Sequence, residues 1–136
     1  MSEGSFQSSA LKYLNSVEGC TAENVSGNSQ QSGRPDINGV YRGQSFRMEL
    51  KILDNSNKPT RKQLMNLIKW FKSGAAICVA YNIEDVKHFI IEMEHRIPWS
   101  HIYKNGCLAF GYYDYTQGDV ATDEFFKQYK QLYIQD

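Results

Sequence analysis

Glu49 and Lys51 lie two residues apart in Phe46-Arg47-Met48-Glu49-Leu50-Lys51-Ile52, a run in which apolar and charged residues alternate. On a β-strand, side chains at i and i+2 leave one face and those at i+1 and i+3 leave the other. Glu49 and Lys51 therefore share a face, while Met48, Leu50 and Ile52 point the opposite way and can bury. Asp36, in the turn Gly33-Arg34-Pro35-Asp36, precedes Glu49 by thirteen residues and supplies a second carboxylate where a neighbouring strand would begin. Two carboxylates and an ammonium suit phosphodiester hydrolysis. That reaction needs a water deprotonated near neutral pH and a stabiliser for charge growing on the phosphate, and a divalent cation held by carboxylates does both. Mg²⁺ prefers few protein carboxylates, several waters and phosphate oxygens. Asp36 and Glu49 form such a pair, with the Leu50 backbone carbonyl available as a further oxygen donor. Lys51 can orient or help activate the attacking water, or stabilise the pentacovalent phosphate. A Glu-x-Lys standing alone is more often a solvated strand edge, so the reading depends on what else falls in register.

Several elements must position these groups. Residues 34–41 and 45–53 read as two strands joined at Arg42-Gly43-Gln44, a short hairpin turn that sets Asp36 and Glu49 opposite each other across a ladder. Ahead of them, apolar spacing over 6–17 predicts a first helix, with Ser5 or Ser8 as its cap and Glu3 just before it or in its first turn. Gly19 ends that helix, residues 20–25 suggest a first strand, and polar residues 26–32 a loop. After a second loop at 54–59, Thr60 is a good N-cap for a helix that runs to Lys72 and closes at Ser73-Gly74.

Leu64, Leu67, Ile68 and Phe71 gather on one side of that helix at about 100° per residue, while Arg61, Lys62, Lys69 and Lys72 gather elsewhere on its circumference. Ala75 to Tyr81 is a continuous apolar run of buried-strand length, so strand, helix and strand imply a parallel crossover. Asn82 can cap a further helix over 83–94, buried through Val86, Phe89, Ile90 and Met93. From His95 onward the texture changes to an aromatic-rich tail, with a strand near 107–113 and a last helix near 122–133. Such aromatics more often pack a core or a dimer contact than stack on bases.

The order Gly33-x-Pro35-Asp36, Gly43, Glu49-Leu50-Lys51, Lys58-x-Thr60-x-x-Gln63 and Gly74-Ala75 before an apolar strand resembles the VRR-Nuc (virus-type replication-repair nuclease) branch of the PD-(D/E)xK nucleases. The resemblance covers roughly residues 3 to 94, including Tyr13-Leu14 and Ile83-Glu84-Asp85-Val86 as flanks, and is closest to small phage-type members. It implies an α/β fold with a restriction-endonuclease-like core, a mixed β-sheet flanked by helices. It also implies dependence on Mg²⁺ or Mn²⁺, metal ligation by Asp36 and Glu49, Lys51 as the catalytic lysine, and Gln63 beside the active site. An acidic residue of the first helix is a further family ligand, and Glu3 is its weak match. Small stand-alone members resemble homodimeric resolvases of branched DNA.

The expectation is thus a metal-dependent DNA endonuclease of phage or bacterial replication, recombination or repair, acting as a homodimer on branched or structured DNA. Residues 1–94 would be the nuclease core, and 95–136 an extension packed on the same domain. A non-catalytic or partner-dependent DNA-binding module with the same fold is the alternative. The 136 residues, 41% hydrophobic and 22% charged, suit one globular domain. Cys20, Cys78 and Cys107 are odd in number and scattered, which disfavours a disulfide framework and fits a reducing cytoplasm. The N-terminal residues lack the basic and apolar regions of a secretion signal, and no apolar run is long enough to span a bilayer. Net charge is zero, so bulk charge gives no argument for nucleic acid. Yet the window between Asp54 and Glu84 holds no acid and five bases. Arg34, Lys58, Arg61, Lys62 and Lys69 are the candidate DNA contacts, although a solvated basic face is the commoner meaning of such a strip. His95, His101 and Cys107 match no standard zinc spacing, and His88 reads as an ordinary, partly exposed helical histidine.

Overall fold

The turn at Arg42-Gly43 sets the register of everything around the candidate site. Arg42 has φ 47° and Gly43 φ 87°, the two positive values that a two-residue type I′ hairpin requires and that glycine adopts without strain. It joins β2 (Ile37–Tyr41) to β3 (Gln44–Leu50) with Tyr41 opposite Gln44 and Ile37 opposite Met48. Carried one residue further, that register places Asp36 opposite Glu49. These elements belong to a computed structural model that describes residues 3–25, 35–52, 60–94, 99–102 and 108–111.

Helix α1 (Glu3–Ser16) leads into β1 (Cys20–Asn24), which pairs antiparallel with β2. After β3, helix α2 (Arg61–Lys72) crosses over to β4 (Ala76–Ala80), parallel to β3 with Leu50 beside Ala80. Helix α3 (Ile83–Met93) follows, then β5 (Trp99–Ile102) and β6 (Leu108–Gly111). The described strands form one mixed six-stranded sheet in the order β1-β2-β3-β4-β6-β5. This is the α/β architecture expected of the sequence, with β3 and β4 at its centre.

Burial alternates along β3. Phe46, Met48 and Leu50 enter a core with Ile37, Tyr41, Cys78 and Ala80 of the sheet, Phe6, Ala10 and Leu14 of α1, and Val86, Phe89, Ile90 and Met93 of α3. The Phe46 ring meets Phe89 edge-on, 5.8 Å between centroids. The same ring lies so close over Gly39 that a Cβ there would fall 2.2 Å from it, so the core admits only glycine at that position. On the other side of the sheet, α2 buries Leu64, Leu67, Ile68 and Phe71, and it contacts β3 and β4. All five residues of β4 are buried, as a strand covered on both faces must be.

Several boundaries differ from the sequence reading: the hairpin turn is Arg42-Gly43 alone, since Gln44 already pairs with Tyr41 at the start of β3. Helix α1 starts at Glu3, so Ser5 and Ser8 lie inside it rather than capping it. Packing of Phe6, 2% exposed, outweighs the local preference of a serine hydroxyl for a cap. Strand β2 begins at Ile37 rather than at residue 34, and β3 ends at Leu50 rather than at 53. Strand β5 was not foreseen at all, whereas β6 falls inside the expected 107–113 segment. The loops expected at 26–32 and 54–59 and the helix expected at 122–133 lie outside the described residues.

Candidate active site

Lys51, Glu49 and Asp36 converge at the ends of β2 and β3. Glu49 is 2% exposed, as buried as the apolar residues beside it. A carboxylate taken out of water needs partners in proportion. Its Oε1 accepts a hydrogen bond from Gln63 Nε2 at 3.0 Å and lies 4.0 Å from Lys51 Nζ. The Lys51 side chain is itself only 11% exposed, and its backbone N–H donates to Ala80 O at 2.9 Å, which pins the strand end against β4. Asp36 Oδ2 accepts from the Leu50 backbone N–H at 2.8 Å, while Asp36 O accepts from Val25 N at 2.9 Å. Asp36 thus ties β1, β2 and β3 together just beyond the last ladder pair.

Gln63 owes its orientation to the helix it begins. Thr60 is the N-cap of α2: its Oγ1 accepts from Gln63 N at 3.1 Å, and Gln63 Oε1 accepts from Thr60 N at 2.9 Å. This reciprocal pair is a capping box. The backbone N–H of Thr60 can only donate, so it must meet the amide oxygen. The amide nitrogen is then directed at Glu49. Local chemistry at a helix start thereby sets the donor offered to a buried carboxylate on a different element.

The donor set fits a hard divalent cation of the magnesium type: the carboxylates of Asp36 and Glu49 on paired strands, with the Leu50 carbonyl between Glu49 and Lys51 in the chain. Among the described residues no group of three or more Asp, Glu, His or Cys side chains gathers. Two carboxylates with waters and phosphate oxygens are the complement Mg²⁺ favours. Glu3 is the first residue of α1, but its side chain lies outside the described set. So do Arg34, Lys58, the side chain of Arg61, His95, the side chain of His101, and Cys107. Lys62 and Lys69 are exposed on α2, the helix that supplies Gln63. His88 is exposed and bonded to Glu92 at 3.1 Å.

Arg47 went unremarked in the sequence, although the alternation that pairs Glu49 with Lys51 puts it on the same face. Its Nη1 donates to Ser45 Oγ at 2.9 Å and to Phe46 O at 2.8 Å, and its guanidinium carbon stacks 4.0 Å above the Trp70 ring. Burial lowers its pKa from the ordinary arginine range, and the carboxylate of Glu23 acts in the opposite sense.

No family model matches the chain, and no curated protein matches it. Among solved structures it is similar to a "VRR_NUC domain", 27% identical, with TM-score 0.54 over 65% of this chain and 94% of that one. Nearly the whole of that domain is accounted for. No helix among the described residues is long and apolar enough to cross a membrane.

Proposed function

From the premise that this chain carries a nuclease-like domain of the VRR-Nuc family, we infer that it is a metal-dependent DNA endonuclease. It hydrolyses phosphodiester bonds in branched or otherwise structured DNA, as a homodimer, in replication, recombination or repair in a bacterial or phage-infected cell. The observation that carries this reading is the buried Glu49 carboxylate, held between Lys51 Nζ and an amide nitrogen that a capping box aims at it.

Asp36 and Glu49, with the Leu50 carbonyl, would hold Mg²⁺ or Mn²⁺. Bound there, the cation supplies a water of lowered pKa and offsets charge on the phosphate. Lys51, on the same face, would orient the attacking water and stabilise the pentacovalent phosphate as its charge grows. Gln63 keeps Glu49 in position through Oε1. Asp36, tied through Oδ2 to Leu50 N, is held by the sheet rather than by a flexible side-chain partner. Lys62 and Lys69, with Arg34, Lys58 and Arg61, would contact phosphates away from the cut.

Purified protein incubated with a four-way DNA junction and Mg²⁺ or Mn²⁺ should release nicked arms. Asp36→Ala and Lys51→Ala should abolish the product while circular dichroism stays unchanged. Activity that survived Lys51→Ala would remove that lysine from the chemistry. A wild-type protein that bound the junction and never cut it would point instead to a binding module.

A further inference from the structure

Among the described residues, the α2 side of the sheet is only half covered. Helix α2 contacts β3 and β4, whereas across β1, β2 and the first half of β3 an open groove is lined by Thr21, Glu23, Asn38, Val40, Ser45 and Arg47. By strand alternation these side chains share the face of Asp36, Glu49 and Lys51. Asn38 pairs with Arg47 in the ladder, one step before the Asp36–Glu49 position. Two residues along a strand is about 7 Å, so the groove opens directly onto the candidate active site. Val40 is 47% exposed on its floor.

We propose that this groove seats the sugar-phosphate backbone of the DNA strand flanking the scissile bond, with the Arg47 guanidinium as its phosphate contact. This rests on the nuclease reading of the site. Arg47 is held in advance: two hydrogen bonds fix Nη1 and the Trp70 ring supports the guanidinium plane, so little side-chain entropy remains to be lost on binding. Both of its hydrogen bonds go to neutral oxygens, and no carboxylate of a described residue lies within ion-pair distance. Its Nε is buried with no hydrogen-bond partner, a state that is uncommon in folded proteins. A half-buried arginine whose charge is not neutralised, bordering a groove that leads to a phosphodiester-cleaving site, is suited to a phosphate. Ser45 and Asn38 add neutral polar groups for the same backbone. Glu23, exposed on the opposite wall, opposes an anion in the groove and moderates its affinity.

The test is DNA binding by the full chain in EDTA, where cleavage is suppressed, read by anisotropy of a short fluorescein-labelled single strand over a salt series. Arg47→Gln should weaken binding about tenfold and make the salt dependence shallower by about one unit of slope. Arg47→Lys should recover part of the affinity, and Glu23→Gln should tighten binding, most at low salt. Wild-type affinity and slope in Arg47→Gln would overturn the proposal, as would a wild-type chain that does not bind the strand. If Arg47→Gln fails to fold, the exposed Glu23→Gln decides: no tightening overturns the proposal. Cleavage measured in parallel keeps the two readings apart. Arg47-dependent binding without any cleavage leaves the groove standing and removes the nuclease, whereas cleavage with Arg47-independent binding does the reverse.

Discussion

On one face of β3, Phe46, Met48 and Leu50 are shut into a dry core between the sheet and helices α1 and α3. On the other face, Arg47, Glu49 and Lys51 come from the same few residues of chain, yet each is held by a specific polar or aromatic partner. Glu49 is as deeply buried as Met48, so depth does not separate the two faces. What separates them is the kind of interaction that makes burial tolerable. Apolar residues gain by losing water, whereas a carboxylate must be repaid by donors placed at the right distance. One face therefore provides stability at little cost in specificity. The other is costly to build and carries the residues to which the chemistry is proposed to belong.

If that division is right, mutations on the two faces should fail in opposite ways. The largest effect expected is on turnover: Glu49→Gln keeps the shape and can still accept from Gln63, but should lower metal-dependent cleavage by at least about a hundredfold. Its unfolding midpoint in urea should stay level or rise, because a buried charge has been removed. A large loss of stability in Glu49→Gln would show that the buried carboxylate holds the fold together as the apolar face does.

Phe46→Ala tests the other face. It removes a fully buried ring that packs on Phe89 and covers Gly39, and should cost about 3–5 kcal/mol in denaturant unfolding. Residual cleavage by the fraction still folded should be near normal.

Gln63 lies where the two kinds of interaction meet. Gln63→Glu can keep the capping box but sets a carboxylate against Glu49, so metal affinity measured by calorimetry should fall about 10–100-fold with little change in Tm. Gln63→Ala should lose both the donor and part of the cap, adding about 1 kcal/mol of destabilisation. Equal Tm values for the two variants would show that the box contributes nothing.

The smallest effect concerns Tyr41, buried on the core face with its hydroxyl donating to Glu94 Oε1 at 2.9 Å. Burial first, then that hydrogen bond, raises its pKa above the usual tyrosine value of 10.0. The folded state then keeps the proton when the unfolded chain has begun to lose it. Stability from this group is full below that value and is lost as pH rises through the folded pKa. Tyr41→Phe should flatten the alkaline limb of a stability–pH curve and leave the neutral region nearly unchanged.

Much of the site was legible because its geometry is local. The alternation in β3 placed Glu49 and Lys51 on one face, a hairpin turn around Gly43 brought Asp36 opposite Glu49, and Thr60 as an N-cap announced a helix start. The parallel crossover through α2 was readable from strand, helix and strand in succession. Less of the remainder could be read, and Arg47 shows why. Its position on the shared face follows from alternation, but its stacking on Trp70 and the open groove beside it depend on how far α2 extends over the sheet. Likewise β5, the last strand of the described sheet beside β6, carries no pattern of its own that declares a partner.

The periodicities, the hairpin turn and the Thr60 cap, and hence which side chains share a face, are written in the chain itself, since each rests on contacts between residues near in sequence. It took the folded chain to bring Gln63 to Glu49, to extend the sheet beyond β4 with β6 and β5 and, among the described residues, to leave the groove beside Arg47 open. Those outcomes depend on packing between elements far apart in sequence, where the energy lies in burial and pairing that no local pattern encodes.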